Sequence, residues 1–277
     1  MLVYFVENQW GGSNAPWHNG GSWVLGAREG QNPIAFDIVS SDGGTTFHGT
    51  MTYDGEGPIG FRAKNVTGNT YVVENQWGGS NAPWHPGGNM LIGGRDQKCV
   101  KLNIVSLDGG KCFSGEMTYQ GEGPIGFKSE MTDYNAYLTE NQWGGSSAPW
   151  HPGGICVIGC RGEQHVVSLD VKGNGINLKG AMTYEGESPI GFSAQVRGDN
   201  AGDNFHVENQ WGGSTAPWHD GGHWVIGTRG NKQPVVKWSF KSPDKGKTFE
   251  GEMTYRGEGP IGFKAILLSA VKALATA

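Results

Sequence analysis

The chain has 277 residues, of which 49 are glycine, and a formal net charge of −5 at pH 7. Glycine at this level without a Gly-X-Y period, in a sequence with 11% aromatic residues, excludes collagen-like and disordered chains and favours an all-β protein with many tight turns. The negative charge and the absence of any Lys/Arg run argue against nucleic acid or an anionic membrane surface as a partner, and no membrane insertion is expected.

The first part of the chain contains five predicted strands and one long loop. Val3–Gln9 alternates apolar and polar residues, and no basic region precedes it, so it is predicted to be a first strand and not a signal peptide. The expected location is the cytoplasm, with release by a non-classical route left open. A glycine-rich loop is predicted at Gly11–Gly21. The other strands are predicted at Ser22–Arg28, Ile34–Ser40, Thr46–Tyr53 and Pro58–Lys64.

This pattern is written four times along the chain. The signature E-N-Q-W-G-G-S, followed by A-P-W-H, begins at Glu7, Glu74, Glu140 and Glu208. A second signature, M-T-Y-x-G-E-x-P-I-G-F, begins at Met51, Met117, Met182 and Met253. Packing alone does not require polar and glycine letters to be repeated this strictly, because cores tolerate swaps among apolar residues of similar volume. Four copies of one surface chemistry predict four copies of one binding site.

The architecture of the repeats is left open by the pattern alone. Many short strands need closure or stacking to protect their edges. Two barrels of two repeats each, a four-bladed propeller and an open β-array all satisfy that need. A propeller blade normally has four strands in about 40 to 50 residues, so five strands in each longer repeat fit that architecture poorly.

The repeated loop positions suit a neutral, polyhydroxylated ligand. Two tryptophans bracket a Gly-Gly pair, an arginine ends the second strand, and a glutamate lies in the last turn. An indole stacks on the C–H face of a sugar ring, while arginine and glutamate bond neighbouring hydroxyls. The alternative is a structural or adhesive β-repeat protein, with tryptophans in the core and structural Arg–Glu pairs. Trp23 and Trp224, which repeats two and three lack, are predicted to be packing residues.

Neither a metal site nor an active site is predicted. One histidine follows the second tryptophan of each repeat, without a ligand partner at metal-binding spacing, so it is expected in a turn or rim, and no cofactor is expected. A glycosidase needs two carboxylates in distinct environments. Glu7 and Glu56 are the only repeated candidates, and Glu7 is interpreted as structural. The protein is therefore not expected to be an enzyme, with a glycosidase as the less favoured alternative.

The four cysteines do not follow the repeat. They occur only in repeats two and three, at non-equivalent positions, whereas a structural disulfide framework would recur with the repeat. All four are predicted to be reduced, buried thiols: Cys99, Cys112, Cys156 and Cys160.

The two signatures together resemble the Oscillatoria agardhii agglutinin-type lectins, in particular four-repeat members such as the myxobacterial, Burkholderia and red-algal agglutinins. The resemblance covers all four repeats. It implies two tandem ten-stranded antiparallel β-barrels, 1–133 (repeats 1–66 and 67–133) and 134–268 (repeats 134–200 and 201–268), with a non-repeat tail at 269–277. It also implies a monomeric, multivalent agglutinin that binds the α3,α6-mannopentaose core of high-mannose N-glycans without calcium, including glycans of viral envelope glycoproteins, and hence antiviral activity.

The resemblance further implies that each site takes its Trp-Gly-Gly loop and second tryptophan from one repeat and its arginine and Glu-Gly turn from the other repeat of the barrel. Site one would comprise Trp10, Gly11, Gly12, Trp17, Arg95, Glu122 and Gly123. Site two would comprise Trp77, Gly78, Gly79, Trp84, Arg28, Glu56 and Gly57. Site three would comprise Trp143, Gly144, Gly145, Trp150, Arg229, Glu258 and Gly259. Site four would comprise Trp211, Gly212, Gly213, Trp218, Arg161, Glu187 and Ser188.

Ser188 departs from the glycine that the other three repeats carry at this position. If the position required a positive φ or contact with the sugar, a Cβ and a hydroxyl would weaken the site by about 1 kcal/mol or more. Site four is therefore predicted to be the weakest of the four, and Ser188→Gly is predicted to strengthen it.

Overall fold

The computed structural model of the chain describes residues 2–26, 31–93, 97–196 and 203–270. Arg28 and Arg95, which the sequence places in sites two and one, lie outside these ranges. Within the ranges, no helix has the length and apolar character needed to cross a membrane. The chain divides into two units between Thr132 and Asp133, each formed by two repeats.

Each unit contains ten strands, five from each repeat. Unit one contains β1 (Leu2–Gln9), β2 (Trp17–Leu25), β3 (Pro33–Val39), β4 (Thr46–Tyr53), β5 (Ile59–Thr67), β6 (Thr70–Gln76), β7 (His85–Leu91), β8 (Cys99–Val105), β9 (Cys112–Tyr119) and β10 (Pro124–Thr132). Unit two contains β11 (Asn135–Gln142), β12 (His151–Ile158), β13 (Val166–Gly173), β14 (Asn177–Tyr184), β15 (Ile190–Val196), β16 (Asn204–Gln210), β17 (His219–Val225), β18 (Val235–Lys241), β19 (Thr248–Tyr255) and β20 (Ile261–Leu267). A 3₁₀ turn, Gly230–Lys232, precedes β18.

Both units are closed antiparallel barrels, as predicted. The order in barrel one is β1-β10-β9-β8-β3-β4-β5-β6-β7-β2, and β2 pairs with β1 to close it. The order in barrel two is β11-β12-β17-β16-β15-β14-β13-β18-β19-β20, closed by β20 on β11. Closure removes the exposed edges that short strands would otherwise leave. The two repeats of a barrel interlock, because the first strand of one repeat pairs with the last strand of the other.

The second strand of each repeat begins earlier than the sequence predicts. β2 begins at Trp17, not at Ser22, so much of the predicted loop Gly11–Gly21 is strand. Trp17 pairs with Gln9, and the register then shifts between Val6 and Glu7, which makes a β-bulge. Gly21 lies beside this bulge with a φ of 83°, a left-handed conformation that glycine adopts without strain. The glycine pair therefore shapes a bulged strand.

The cores consist of inward-facing aliphatic and aromatic side chains from every strand. Trp23 and Trp224 are fully buried, as predicted, and their indole N–H groups donate to the carbonyls of Gly20 and Gly221 at 3.2 and 3.1 Å. Burying a large apolar side chain contributes about 1.5–3 kcal/mol. Trp238 is a third buried tryptophan that the sequence analysis did not single out.

The four cysteines are free thiols, but they are not all buried. Cys99 and Cys156 are buried, Cys160 is half-buried and Cys112 is exposed, so the prediction of burial is wrong for Cys112. Burial raises the pKa of Cys99 to about 12, which keeps that thiol protonated and unreactive at neutral pH.

Three repeats contain a turn stabilised by an ionised aspartate. Oδ1 of Asp42 accepts the amide N–H groups of Thr45 and Thr46 at 3.1 and 2.8 Å and the Ser40 hydroxyl at 2.8 Å. Hydrogen bonds from Thr46 and Ser40 hold the pKa of Asp42 at about 2, and the Cys112 amide and Ser106 do the same for Asp108. For Asp244, burial raises the pKa, but hydrogen bonds from Thr248 and Ser242 outweigh it and leave the pKa lowered. Repeat three has the uncharged Asn174 in this role.

Because these aspartates stabilise their turns in the ionised form, the folded protein is expected to lose stability in acid. The folded-state pKa of Asp42 lies below its unfolded value of about 3.9, so its stabilisation is complete above pH 4 and is lost as the pH falls towards 2. We expect the urea midpoint of Asp42→Asn to depend less on pH between 4 and 2 than that of the wild type. Parallel decline of the two midpoints would show that Asp42 does not stabilise the turn through its charge.

Candidate functional site

The first tryptophan of each repeat is exposed and begins a loop with an unusual backbone. Trp10, Trp77, Trp143 and Trp211 are between 43% and 47% exposed, a large fraction for indoles at fixed positions. The two glycines that follow are left-handed in every copy, with φ of 91° and 99° at Gly11 and Gly12. L-residues with a Cβ rarely adopt these angles, which explains the strict Gly-Gly pair. No atom lies within 4 Å of a Cβ built on Gly12, so a ligand can approach this backbone closely.

The Asn and Gln of the first signature hold this loop in place. Nε2 of Gln9 donates to the carbonyls of Ser13 and Ala15 at 3.2 and 2.6 Å, and the Ala15 amide donates to the Gly12 carbonyl at 3.0 Å. The same three bonds recur in the other repeats. Asn8 is buried and anchors the preceding strand, donating to the Met117 sulfur at 3.0 Å.

The histidine of each repeat stacks on the first tryptophan. The rings of Trp10 and His18 are 3.9 Å apart and 15° from parallel, and the other three copies lie at 4.0 to 4.2 Å and 15° to 17°. The imidazole covers one indole face and restricts its rotation. It therefore acts as a support for the tryptophan, and it lies at or near the start of the second strand and not in a turn.

Strand register brings each tryptophan loop beside the Glu-Gly turn of the other repeat. Gln9 pairs with Gly126, Gln76 with Gly60, Gln142 with Gly262, and Gln210 with Gly191. Because the tryptophan follows the glutamine directly and the turn precedes the glycine, loop and turn face each other across one strand end. The structure thus joins residues from both repeats of a barrel at all four predicted sites.

A cleft lies between loop and turn in the two sites where the arginine is described. In site three the cleft has a volume of about 410 Å³ and is lined by Trp143, Arg229 and the segment Glu258–Ile261. In site four it has a volume of about 600 Å³ and is lined by Glu187–Gly191 and Gln210–Ser214.

In site three, an ion pair forms the wall opposite the tryptophan. Nη1 of Arg229 donates to Oε1 of Glu258 at 2.7 Å and to Oε1 of Gln233 at 3.3 Å. Nε2 of Gln233 also donates to Oε1 of Glu258, at 3.0 Å. The guanidinium lies 4.1 Å from the ring centre of Tyr255, whose pKa burial raises to about 12, so the phenol remains neutral.

In site four the same wall is built from repeat three. Nη2 of Arg161 donates to Oε1 of Glu187, and Nε and Nη2 donate to Oε1 of Gln164 at 3.2 and 3.0 Å. The guanidinium lies 4.6 Å from the ring centre of Tyr184 and 6.0 Å from that of Trp211. The contact with Trp211 is a direct link between wall and loop, and hence between repeats three and four.

Comparison with known proteins agrees with this geometry. A model of the OAA-family lectin sugar binding domain matches residues 2–66, 69–132, 135–197 and 203–267. The chain belongs to the OAA lectin family. Myxobacterial hemagglutinin from Myxococcus xanthus is 58% identical over 270 residues, which cover 96% of this chain and 100% of that protein. Lectin ESA-2 from Eucheuma serra is 52% identical, with 96% and 99% covered.

Two solved structures share the whole architecture of this OAA lectin. The crystal structure of Burkholderia oklahomensis agglutinin has a TM-score of 0.92 and 59% identity, covering 96% of this chain and 95% of that chain. The crystal structure of the Myxococcus xanthus hemagglutinin in complex with α3,α6-mannopentaose has a TM-score of 0.90 and 57% identity, covering 96% and 99%. The predicted family membership is confirmed, and the chain is a lectin and not an enzyme.

In repeats three and four of this OAA lectin, the second tryptophan lies beside the cleft, on the outer wall of the barrel. A Cβ built on Gly262 would lie 3.2 Å from the edge of the Trp150 ring, and one on Gly191 would lie 3.4 Å from that of Trp218. Neither tryptophan lines the clefts of sites three and four. The ring of Trp218 therefore packs behind Gly191, a residue that does line the cleft.

The backbone argument for a weak site four is wrong. Gly57, Gly123 and Gly259 do not have left-handed φ angles, and neither does Ser188. A Cβ built on any of the three glycines meets no atom within 4 Å. Ser188 therefore imposes no strain, and only its contact with a ligand in the cleft can distinguish site four.

Several site residues were visible in the sequence but not assigned a role. The stacking histidine and the loop-holding glutamine are both letters of the first signature, and the tyrosine under the arginine is a letter of the second. Gln164 and Gln233 also had a repeated signal, because a glutamine follows the arginine by two to four residues in every repeat, at Gln31, Gln97, Gln164 and Gln233. Across the described ranges, no group of three His, Cys, Asp or Glu side chains is arranged to hold a metal ion.

Proposed function

We propose that the four sites bind the branched α3,α6-mannopentaose core of high-mannose N-glycans, without a metal ion. The observation that carries this proposal is the pairing, across repeats, of an exposed indole with an Arg–Glu wall, in a chain 57% identical to a hemagglutinin crystallised with that sugar. The proposed ligand-binding residues are the predicted Trp-Gly-Gly loops, arginines and Glu-Gly or Glu-Ser turns, with Arg28 and Arg95 completing sites two and one. The second tryptophans are not included, because Trp150 and Trp218 do not line their clefts.

The free indole face provides the apolar half of the site. His151 stacks on one side of Trp143 at 4.1 Å, so the other face is held in place for a sugar ring. The C–H groups on one side of mannose pack against such a ring, and the aromatic surface selects a carbohydrate face without needing charge. Gly144 and Gly145 allow the pyranose to approach the backbone, which bulkier residues would prevent.

The ion pair provides the directional half of the site. Both hydrogen bonds to the Glu258 carboxylate end on Oε1, and among the described residues Oε2 accepts none. Nη2 and Nε of Arg229 likewise have no acceptor in the described part of the chain. A pair of neighbouring sugar hydroxyls can therefore donate to Glu258 and accept from Arg229 at the same time.

Four such clefts on one chain would make binding to glycan-covered surfaces multivalent. Linked sites raise overall affinity by about 10² to 10⁴ when geometry allows simultaneous binding. Agglutination would follow for a single chain, without an oligomer. The same multivalency would direct the lectin to densely glycosylated proteins such as viral envelope glycoproteins, which a pull-down with and without mannopentaose would test.

Calorimetric titration with α3,α6-mannopentaose, repeated in EDTA, tests the proposal. We expect saturation near four equivalents and the same heat in EDTA. Release of reducing sugar over time would indicate a glycosidase instead. Absence of any heat would contradict the proposal and favour a structural β-repeat protein.

Ser188 gives a prediction specific to site four. The Ser188 backbone is unstrained, so any weakening must come from the side chain. Because Ser188 lines the cleft, we expect its hydroxymethyl group to crowd the sugar and make site four the weakest. Ser188→Gly should raise affinity at this site while lowering stability by about 0.4–1 kcal/mol, because glycine increases the entropy of the unfolded chain. Calorimetry would resolve three strong sites and one weak site in the wild type. Four equal sites would contradict the expectation.

A further inference from the structure

A second arrangement recurs on the outer wall of the barrels, beside the clefts but outside their lining. There the second tryptophan is covered by a cation that lies two strands away, across the first strand of the repeat. Lys128 lies 4.6 Å from the ring centre of Trp17, Arg62 lies 4.4 Å from that of Trp84, and Lys264 lies 4.6 Å from that of Trp150. In two copies the cation also pairs with the glutamate of the first signature, Glu7 at 2.8 Å and Glu74 at 2.6 Å. In three of the four repeats, therefore, the outer face of the second tryptophan binds a positively charged side chain of the same chain.

The fourth copy lacks the cation. Ser193 pairs in register with Glu208, just as Lys128 pairs with Glu7. Trp218 is accordingly exposed, at 41%, whereas the other three second tryptophans are less exposed and count as half-buried. Glu208 is exposed and makes no ion pair with any residue in the described ranges. Among the described residues, the indole and the carboxylate of this copy are both present and no cation covers them.

The surroundings of this copy strengthen its negative character. Asp220 pairs in register with Glu208, where the other repeats have Asn19, Pro86 and Pro152. Its Oδ1 is 3.9 Å from Nδ1 of His206. Lys179 faces Ser193 from β14 on the other side, but among the described residues it forms no ion pair with Glu208 and no cation–π contact with Trp218.

We propose that Trp218 and Glu208 form a binding site for an ammonium or guanidinium group of another molecule, such as a basic side chain on a glycoprotein. A cation over an indole face is attracted by the ring quadrupole, and a carboxylate beside it adds charge pairing. This site is separate from the sugar clefts and does not depend on the proposed function.

The test follows the indole N–H resonance of Trp218, assigned with Trp218→Phe, during titration with methylguanidinium. We expect a saturable shift at Trp218 that N-methylurea, a neutral molecule of similar shape, does not produce. The shift should be lost in 1 M salt, where the Debye length falls to about 3 Å. Ser193→Lys should abolish it by supplying the internal cation.

Two further variants make the test independent of one substitution. Lys264→Ser should create the same response at Trp150, and Lys179→Ala should leave the response at Trp218 in place. Equal shifts with N-methylurea, or an unchanged shift in Ser193→Lys, would overturn the proposal. So would a Trp218 resonance that responds to mannopentaose and not to methylguanidinium, which would make it a sugar platform.

Discussion

Replacing Gly49 with alanine is expected to destabilise barrel one by about 3 kcal/mol or more, at or above the upper end of the range typical for substitutions that force the backbone to move. A Cβ built on Gly49 lies 2.1 Å from the carbonyl oxygen of Asp37 on the neighbouring strand. That oxygen belongs to the backbone of β3, so relief requires β3 and β4 to separate. Gly115, Gly180 and Gly251 make the same approach at 2.2, 2.0 and 2.0 Å.

Gly57→Ala is the matched control for this prediction. Its Cβ meets no atom within 4 Å and its φ is not left-handed, so we expect stability to change by less than about 1 kcal/mol, with a gain from the reduced entropy of the unfolded chain. Urea unfolding monitored by tryptophan fluorescence measures both variants. Equal midpoints for Gly49→Ala and Gly57→Ala would show that the strands at Gly49 relax without cost.

The local sequence pattern predicted the strands well, but it placed the start of the second strand of repeat one too late. The alternation in Val3–Gln9 and the Asp-Gly turn before Thr46 are local signals, and the strands lie there. Trp17–Gly21 contains two glycines, which normally indicate a loop. It is a strand because Gln9 and Trp17 pair across the bulge, and pairing of this kind is not visible in the letters of one segment.

The site required information of longer range than any motif carries. The tryptophan and the arginine of one cleft belong to different repeats, joined by pairs such as Gln9 with Gly126. Only the family resemblance suggested that arrangement, since the residue pattern also allowed a propeller and an open array. Ser193 was not singled out either, because its importance appears only when Lys128, Arg62 and Lys264 are seen to cover tryptophans.

Replacing Trp143 with alanine is expected to remove one sugar equivalent from the calorimetric titration and leave the fold intact. The side chain is 47% exposed, so little core packing is lost, whereas the stacking surface of site three disappears. Loss of a central aromatic contact costs at least about 2 kcal/mol, or roughly 30-fold in affinity for that site. Ile176→Ala, which truncates an exposed apolar residue of the same barrel outside the described clefts, should retain all four equivalents.

Combining the substitutions separates binding from agglutination. A variant with alanine at Trp77, Trp143 and Trp211 retains one complete cleft and should still bind one equivalent of mannopentaose. It should fail to agglutinate glycan-coated particles, because a chain with a single site cannot bridge two surfaces. Restoring Trp211 should restore agglutination with no new contact at site one. Agglutination by the single-site variant would instead require the chain to associate with itself, and its molecular mass in solution would then exceed that of the monomer.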